Sequence, residues 1–266
     1  MIIIGEKING AIPSVAEAIA GRDAEYIRSL AVRQMEAGAH YLDVCAGTAP
    51  ELERDALTWL IGIVQDTVDT PICIDSPDPD VLRDVLPLIR HAGIVNSVSG
   101  EGAKCDKIYP LIAGSDWKVI ALTCDDSGIP SDAQRKIGIA LQLIGKAGDY
   151  GITPDRIFVD PLVMSLSVVN DALIGFLSAL DGIRENYPDV HFTSGLSNIS
   201  FGMPKRKLIN QYFLAFAIQA GMDSAIMDPT DNVLSAGILA VEALLGRDKF
   251  CRAYNKAYRS GRLGTP

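Results

Sequence analysis

Three observations predict that this chain folds as a single-domain TIM-type (β/α)8 barrel. Eight short apolar runs alternate with helical patterns from end to end, as parallel strands joined by crossover helices do. Six of the runs close on a carboxylate or an amide: Glu6 and Asn9, Asp43, Asp75, Asn96, Asp160 and Asn198. In such a barrel the C-terminal strand ends share one mouth. The length of 266 residues, 48% of them hydrophobic, suits one α/β barrel better than two small domains, so 1–266 is read as one unit.

The strands are expected at 2–7, 40–44, 71–75, 93–97, 118–123, 156–160, 192–197 and 224–228. Branched residues such as Ile72, Ile74 and Val159 favour the pleated, buried conformation there. Between them, 24–37, 51–67, 133–147, 168–185, 208–220 and 233–245 carry apolar positions at three- and four-residue spacing, each a stripe for the barrel wall. Gly38, Gly148 and Gly221 follow three of these helices, where a left-handed residue would end the helix and turn the chain toward a strand. A doubly wound sheet would carry a glycine-rich phosphate turn after its first strand, and Gly5-Glu6-Lys7-Ile8-Asn9-Gly10 does not fit that pattern. Gly100-Glu101-Gly102-Ala103-Lys104-Cys105 lacks the third glycine and follows the fourth strand.

The formal charge of −9, without a lysine or arginine stripe, argues against nucleic acid as a partner. The N-terminal run meets Glu6 too early for a signal peptide, and no apolar segment reaches the roughly 18 residues that span a bilayer. A soluble, cytoplasmic protein is expected. Five widely spaced cysteines without a CxxC pair read as buried or free thiols. The three histidines, His40, His91 and His191, form no ligand spacing, so no protein-bound metal is expected.

A carboxylate that closes a strand adds little to packing and needs a partner, and its repetition around the chain makes a shared ligand the simplest one. Asp75 and Asp160 can accept hydrogen bonds from amino and ring N–H groups, while Asn96 and Asn198 both donate and accept. That donor set suits a flat, nitrogen-rich heterocycle, whereas a phosphate would recruit backbone N–H groups, lysine or arginine. Helix capping, or pairing with nearby basic side chains, is the competing role for Asp75 and Asp160.

With these residues in view, the sequence resembles the pterin-binding methyltransferases that move methyl groups between tetrahydrofolate and a corrinoid protein. The resemblance runs nearly the whole chain and rests on Ile4-Gly5-Glu6-Lys7-Ile8-Asn9-Gly10, Leu42-Asp43-Val44, Ile74-Asp75-Ser76, Asn96-Ser97, Asp160-Pro161-Leu162 and, most specifically, Gly195-Leu196-Ser197-Asn198-Ile199-Ser200. It implies that Asp75, Asn96 and Asp160 hold the pterin ring, that Asn198 is the catalytic residue beside N5, and that Glu6, Asp43, Gly195, Ser197 and Arg206 complete the folate site. It implies tetrahydrofolate or methyltetrahydrofolate as substrate, a homodimer, and either direction of transfer. Arg206 is alternatively a surface cation beside Lys205 and Lys207. Cys45 stands where relatives commonly have asparagine; it reads as a packed thiol in the pocket lining, with a nucleophile as the alternative.

A resident corrinoid would require Asp-x-His-x-x-Gly, and Asp189-Val190-His191-Phe192-Thr193-Ser194-Gly195 misses that spacing by one residue. The corrinoid is therefore expected on a partner protein. Lys118 begins a strand and Lys7 ends one, so neither makes a convincing Schiff-base lysine. The remaining alternatives are an enzyme like dihydropteroate synthase, which would need a basic anchor for pyrophosphate, and a non-catalytic subunit that binds folate or docks the corrinoid protein.

Overall fold

The strands of the computed structural model, which describes residues 1–263, form one parallel sheet curled into a barrel. They are β1 (Ile2–Asn9), β2 (Tyr41–Cys45), β3 (Ile72–Asp75), β4 (Ile94–Gly100), β5 (Lys118–Asp125), β6 (Ile157–Asp160), β7 (His191–Phe192) and β8 (Ser224–Met227), ordered β7-β6-β5-β4-β3-β2-β1-β8. Residues just past β7 close the gap to β8: the Ile226 N–H donates to the Ser194 carbonyl at 3.0 Å, beside an isolated parallel bridge between Gly195 and Ile226.

Helices α1 (Pro13–Gly21), α2 (Ala24–Glu36), α3 (Pro50–Thr67), α4 (Pro79–Val85), α5 (Lys104–Ile112), α6 (Ala133–Asp149), α7 (Ala172–Asn186), α8 (Arg206–Gln219), α9 (Asn232–Leu244) and α10 (Arg252–Arg259) accompany the strands. Their starts are written locally. Pro13, Pro50 and Pro79 occupy first-turn positions that need no N–H donor, and the carboxylates of Asp23, Asp132 and Asp231 accept first-turn N–H groups.

Strand alternation sorts the apolar residues into two layers. Leu42, Val44, Ile74, Val95, Val119 and Val159 face outward against helix stripes such as Leu57, Leu60, Ile61 and Val64 of α3. Ile4, Cys73, Ile94, Ile120 and Phe158 point inward and fill the barrel as a separate cluster. Each large aliphatic or aromatic side chain so buried contributes roughly 1.5–3 kcal/mol. Two residues further along the same strands, the inward direction belongs to Glu6, Asp75, Asn96, Leu122 and Asp160, so the plug ends where the polar mouth begins.

The predicted fold class matches, with local corrections. The seventh strand, expected over 192–197, stops at Phe192, and Leu196–Ser200 coils into a 3-10 turn in which the Asn198 N–H donates to the Gly195 carbonyl at 3.1 Å. The helix expected from 168 begins only at Ala172. Gly38 and Gly221 take the left-handed conformation, at φ 94° and 98°, whereas Gly148 stays inside α6 and Gly151, at φ 72°, makes that turn. Among the described residues, no helix is long and apolar enough to cross a membrane.

Candidate active site at the barrel mouth

Parallel register places the polar strand ends side by side. Cys45 pairs with Asp75, and Asp75 with Asn96; Leu122 of β5 pairs with Asp160 of β6. Two side-chain groups result. Glu6, Asp43, Asp75 and Asn96 form the first, with the Asn96 Nδ2 donating to Asp43 Oδ1 at 3.2 Å. Asp160 and the turn after β7 form the second: Asp160 Oδ2 accepts from the Gly195 N–H at 3.4 Å, and Oδ1 accepts from the Leu162 N–H at 2.7 Å. Asn9 stands apart, its side-chain oxygen taken by the Ala11 N–H at 2.8 Å.

Burial sets the charges of this mouth. Asp43 and Asp160 are 2% and 4% exposed, and burial in an apolar wall penalises a carboxylate. It raises Asp160 from 3.8 to about 6, held back by the N–H groups of Leu162 and Gly195 and by Lys136. Asp75 rises to about 6 through burial, with Glu53 adding to the effect. Glu6 rises to about 7, again through burial, with Lys7 and Arg206 opposing and Asp228 reinforcing the shift. Burial first, and then the neighbouring Asp75, pushes Asp43 well above the carboxylate range. Burial and the Asp75 and Asp43 carboxylates likewise raise the Cys45 thiol, which makes it a poor nucleophile and leaves it as pocket lining.

Neither strand-end aspartate is a helix cap. Asp78 caps α4, its Oδ1 accepting from the Asp80 N–H at 2.8 Å, and α7 begins twelve residues after Asp160. A second rank stands behind Asp75, where the buried Ser76 hydroxyl donates to Glu53 at 2.7 Å.

The turn after β7 presents Asn198, whose backbone is bent back on Gly195 and whose side chain is exposed. A methyl group on Gly195 would meet the Asn198 Nδ2 at 3.0 Å, so the glycine leaves room for that amide. Arg206, the first residue of α8, is tied to the same turn, donating to the Ser197 carbonyl at 2.8 Å and to the Ser200 hydroxyl at 3.1 Å. Lys207, by contrast, pairs with Asp231 at 3.1 Å.

Two residues escaped the sequence reading. Asp228 follows β8 directly, reaches Lys7 at 3.4 Å and acts on Glu6. Its signal was the same as for Asp75, a carboxylate closing an apolar strand. Lys136, 2% exposed, donates to the Leu162 carbonyl at 2.9 Å. Its signal was a lysine on the apolar stripe that continues through Ile139, Ala140 and Leu143. His191 sits at the opposite end of the barrel, stacked on Phe158 and bonded to Asp223 at 2.6 Å.

The chain is 52% identical over 266 residues to a methylcorrinoid:tetrahydrofolate methyltransferase of Eubacterium limosum, covering 99% of this chain and 98% of that protein. It is 30% identical over 240 residues to the methionine synthase of Mycobacterium tuberculosis (strain ATCC 25618 / H37Rv), covering 85% of this chain and 20% of that protein; the chain thus spans about a fifth of that relative. A dihydropteroate synthase of Xanthomonas albilineans, solved with 4-aminobenzoic acid, superposes with a TM-score of 0.69 at 18% identity, covering 93% of this chain and 92% of that one. That likeness bears on the fold. The family described as pterin binding enzyme matches residues 8–228, and the chain belongs to this family.

Proposed function

We propose that the chain is a methyltransferase that moves a methyl group from a methylcorrinoid, carried by a separate protein, to N5 of tetrahydrofolate. The observation that carries this reading is the ring of buried acceptors and amides at the barrel mouth, joined to full-length identity of 52% with a protein named for that reaction. The relative's name also favours this direction over its reverse.

The donor set fits a pterin. Asp75 and Asp160 keep lone pairs for the ring N–H and amino groups, and Asn96, positioned by Asp43, offers a carbonyl and a second amide proton. Glu6, Gly195, Ser197 and Arg206 frame the remainder of the folate. The corrinoid supplies the methyl group as an electrophile. His191 is bonded to Asp223 at the far end of the barrel, which supports a corrinoid delivered on a partner.

Transfer is an in-line displacement: the N5 lone pair forms the new N–CH3 bond as the carbon–cobalt bond breaks, and the electron pair of that bond stays with the metal. N5 must be unprotonated to attack, and the proton it sheds afterwards leaves through water. Asn198 is neutral at ordinary pH, so its part is to orient N5 and stabilise the charge that develops there.

The test is turnover by the isolated chain with tetrahydrofolate and methylcobalamin, run beside calorimetric binding of tetrahydrofolate. Product methyltetrahydrofolate supports the enzyme; binding without turnover, also with a methylated corrinoid protein, favours a non-catalytic docking subunit, and no binding removes the folate reading. A dihydropteroate synthase-like activity is disfavoured by the 52% full-length identity to a methyltransferase, against 18% identity to the synthase whose fold it shares.

We extend the proposal to one domain over residues 1–266, a homodimer and a cytoplasmic location. Exposed Ile174 of α7 and Leu208, Tyr212 and Phe216 of α8 line an apolar groove of about 470 Å3, a surface that a second copy would cover. All five thiols are free, as suits a reducing compartment. Sedimentation analysis tests the dimer, and a monomer at micromolar concentration would refute it.

A further inference from the structure

Lys136 is costly where it stands. It is 2% exposed, and it occupies the first turn of α6, where the helix dipole disfavours a cation. A lysine there would ordinarily carry its ammonium out to water along the helix surface. Instead Nζ turns inward and donates to the Leu162 carbonyl at 2.9 Å.

Leu162 is itself unusual, a branched residue held at φ 54°, in the left-handed region. The Asp160-Pro161 backbone brings the Leu162 N–H to Asp160 Oδ1 at 2.7 Å, and the left-handed φ of Leu162 then redirects the chain after it. One residue thus has its carbonyl gripped by Lys136 and its N–H gripped by Asp160. The ammonium also acts on the Asp160 carboxylate through space. Asp132, the N-cap of α6, is the other charged group acting on the lysine, and Lys136 is the only charged side chain found to act on Asp160 among the described residues.

We propose that Lys136 is a positioning residue: it pins the Asp160-Pro161-Leu162 turn and balances the Asp160 carboxylate from behind, so that Asp160 meets the pterin ionised and in one orientation. The inference rests on the reading of Asp160 as a pterin ligand given above. Burial alone would drive Asp160 toward its neutral form, which has fewer acceptor sites for pterin N–H groups. The Lys136 cation, held on the Leu162 carbonyl and not on an Asp160 oxygen, counters that loss while leaving the carboxylate's own hydrogen bonds to N–H groups.

The experiment is the pH profile of tetrahydrofolate binding by calorimetry for the full chain, for Lys136→Met and Lys136→Gln, and for Asp160→Ala, with folding checked by circular dichroism. Both lysine variants remove the charge, and glutamine keeps an N–H donor for the Leu162 carbonyl. The expected result is an acid limb moved upward by about one pH unit in both variants, and affinity at pH 7 reduced about twofold by the smaller ionised fraction of Asp160. An unmoved acid limb in either folded variant overturns the proposal. So does failure of both variants to fold, because the lysine would then serve the fold rather than Asp160. Asp160→Ala separates the two levels. If it binds folate normally, the pterin-ligand reading fails; if it binds poorly while the lysine variants match the native profile, that reading stands and the role of Lys136 does not.

Discussion

Replacing Gly195 with alanine tests whether the placement of the Asn198 amide governs the chemistry. Gly195 has φ −66° and ψ 92°, a backbone conformation open to any L-residue, so Gly195→Ala introduces no backbone strain. Loss of freedom in the unfolded chain should stabilise the fold by about 0.4–1 kcal/mol. The added methyl would sit 3.0 Å from the Asn198 Nδ2, and the amide must give way by a few tenths of an ångström. Because a 1 Å misplacement of a reacting or positioning group can cost about a hundredfold in rate, a shift of this size predicts a loss of about tenfold, roughly 1.4 kcal/mol of barrier. The Gly195 N–H remains available to Asp160, so folate affinity should change little. The assay is steady-state formation of methyltetrahydrofolate, with thermal unfolding and calorimetry in parallel. An unchanged kcat would refute the reasoning, and so would a kcat loss matched by a lower Tm, which would make the glycine a structural requirement.

Other perturbations separate binding from turnover. Asn198→Ala truncates an exposed side chain and should lower kcat about a hundredfold with Tm within a degree or two, as loss of a donor to developing charge does; native turnover in the transfer assay would contradict that role. Asp75→Asn should weaken tetrahydrofolate binding about tenfold to a hundredfold, the worth of a charge-assisted hydrogen bond, and raise Tm at pH 8 by removing a buried charge. Unchanged affinity by calorimetry would take Asp75 out of the site. Burial lifts Asp75 and Asp160 from 3.8 to about 6, so the folded chain holds more protons than the unfolded chain between about pH 4 and 6. The contribution of these groups to ligand-free stability therefore falls as pH rises through that window. Folate affinity should run the other way, weakening as pH drops below about 6, and parallel trends in Tm and affinity would be inconsistent with buried carboxylates as the ligands.

Legibility in the sequence followed the range of the interactions involved. The barrel could be read because period-two and period-3.6 patterns are local, and the acceptor ring because Asp75 and Asp160 each close a run of branched residues. The seventh strand could not be bounded. His191-Phe192-Thr193 continues as an apolar and small-residue run, but the 3-10 bond from Asn198 to Gly195 ends it, and a turn of that kind leaves no periodic trace. A glycine near the expected end of a helix usually terminates it, and Gly148 carries that signal, yet α6 runs on to Asp149 and the chain turns at Gly151. Asp228, directly after β8, carries the same local signal as Asp75, a carboxylate closing an apolar strand. Lys136 carries only a partial local signal, a lysine on an apolar helix stripe; its role shows in a contact with Leu162, 26 residues away, and a contact of that span has no local signature.

The same long-range contacts explain how one rim of the barrel holds so many carboxylates. The buried Asp43 and Asp160 and the half-buried Asp228 each have fixed donors or a cation beside them: Asn96 for Asp43, the Leu162 and Gly195 N–H groups and Lys136 for Asp160, and Thr230 and Lys7 for Asp228. Asp75 is the exception, with Cys45 as its nearest donor and the Ser76–Glu53 pair adding a further carboxylate behind it. Burying a charge without matching hydrogen bonds is unfavourable, so the ligand-free mouth stores a cost that N–H donors of a bound heterocycle would relieve. Substrate binding and protonation then compete for the same lone pairs, with Asp75 the group at which that competition should be sharpest.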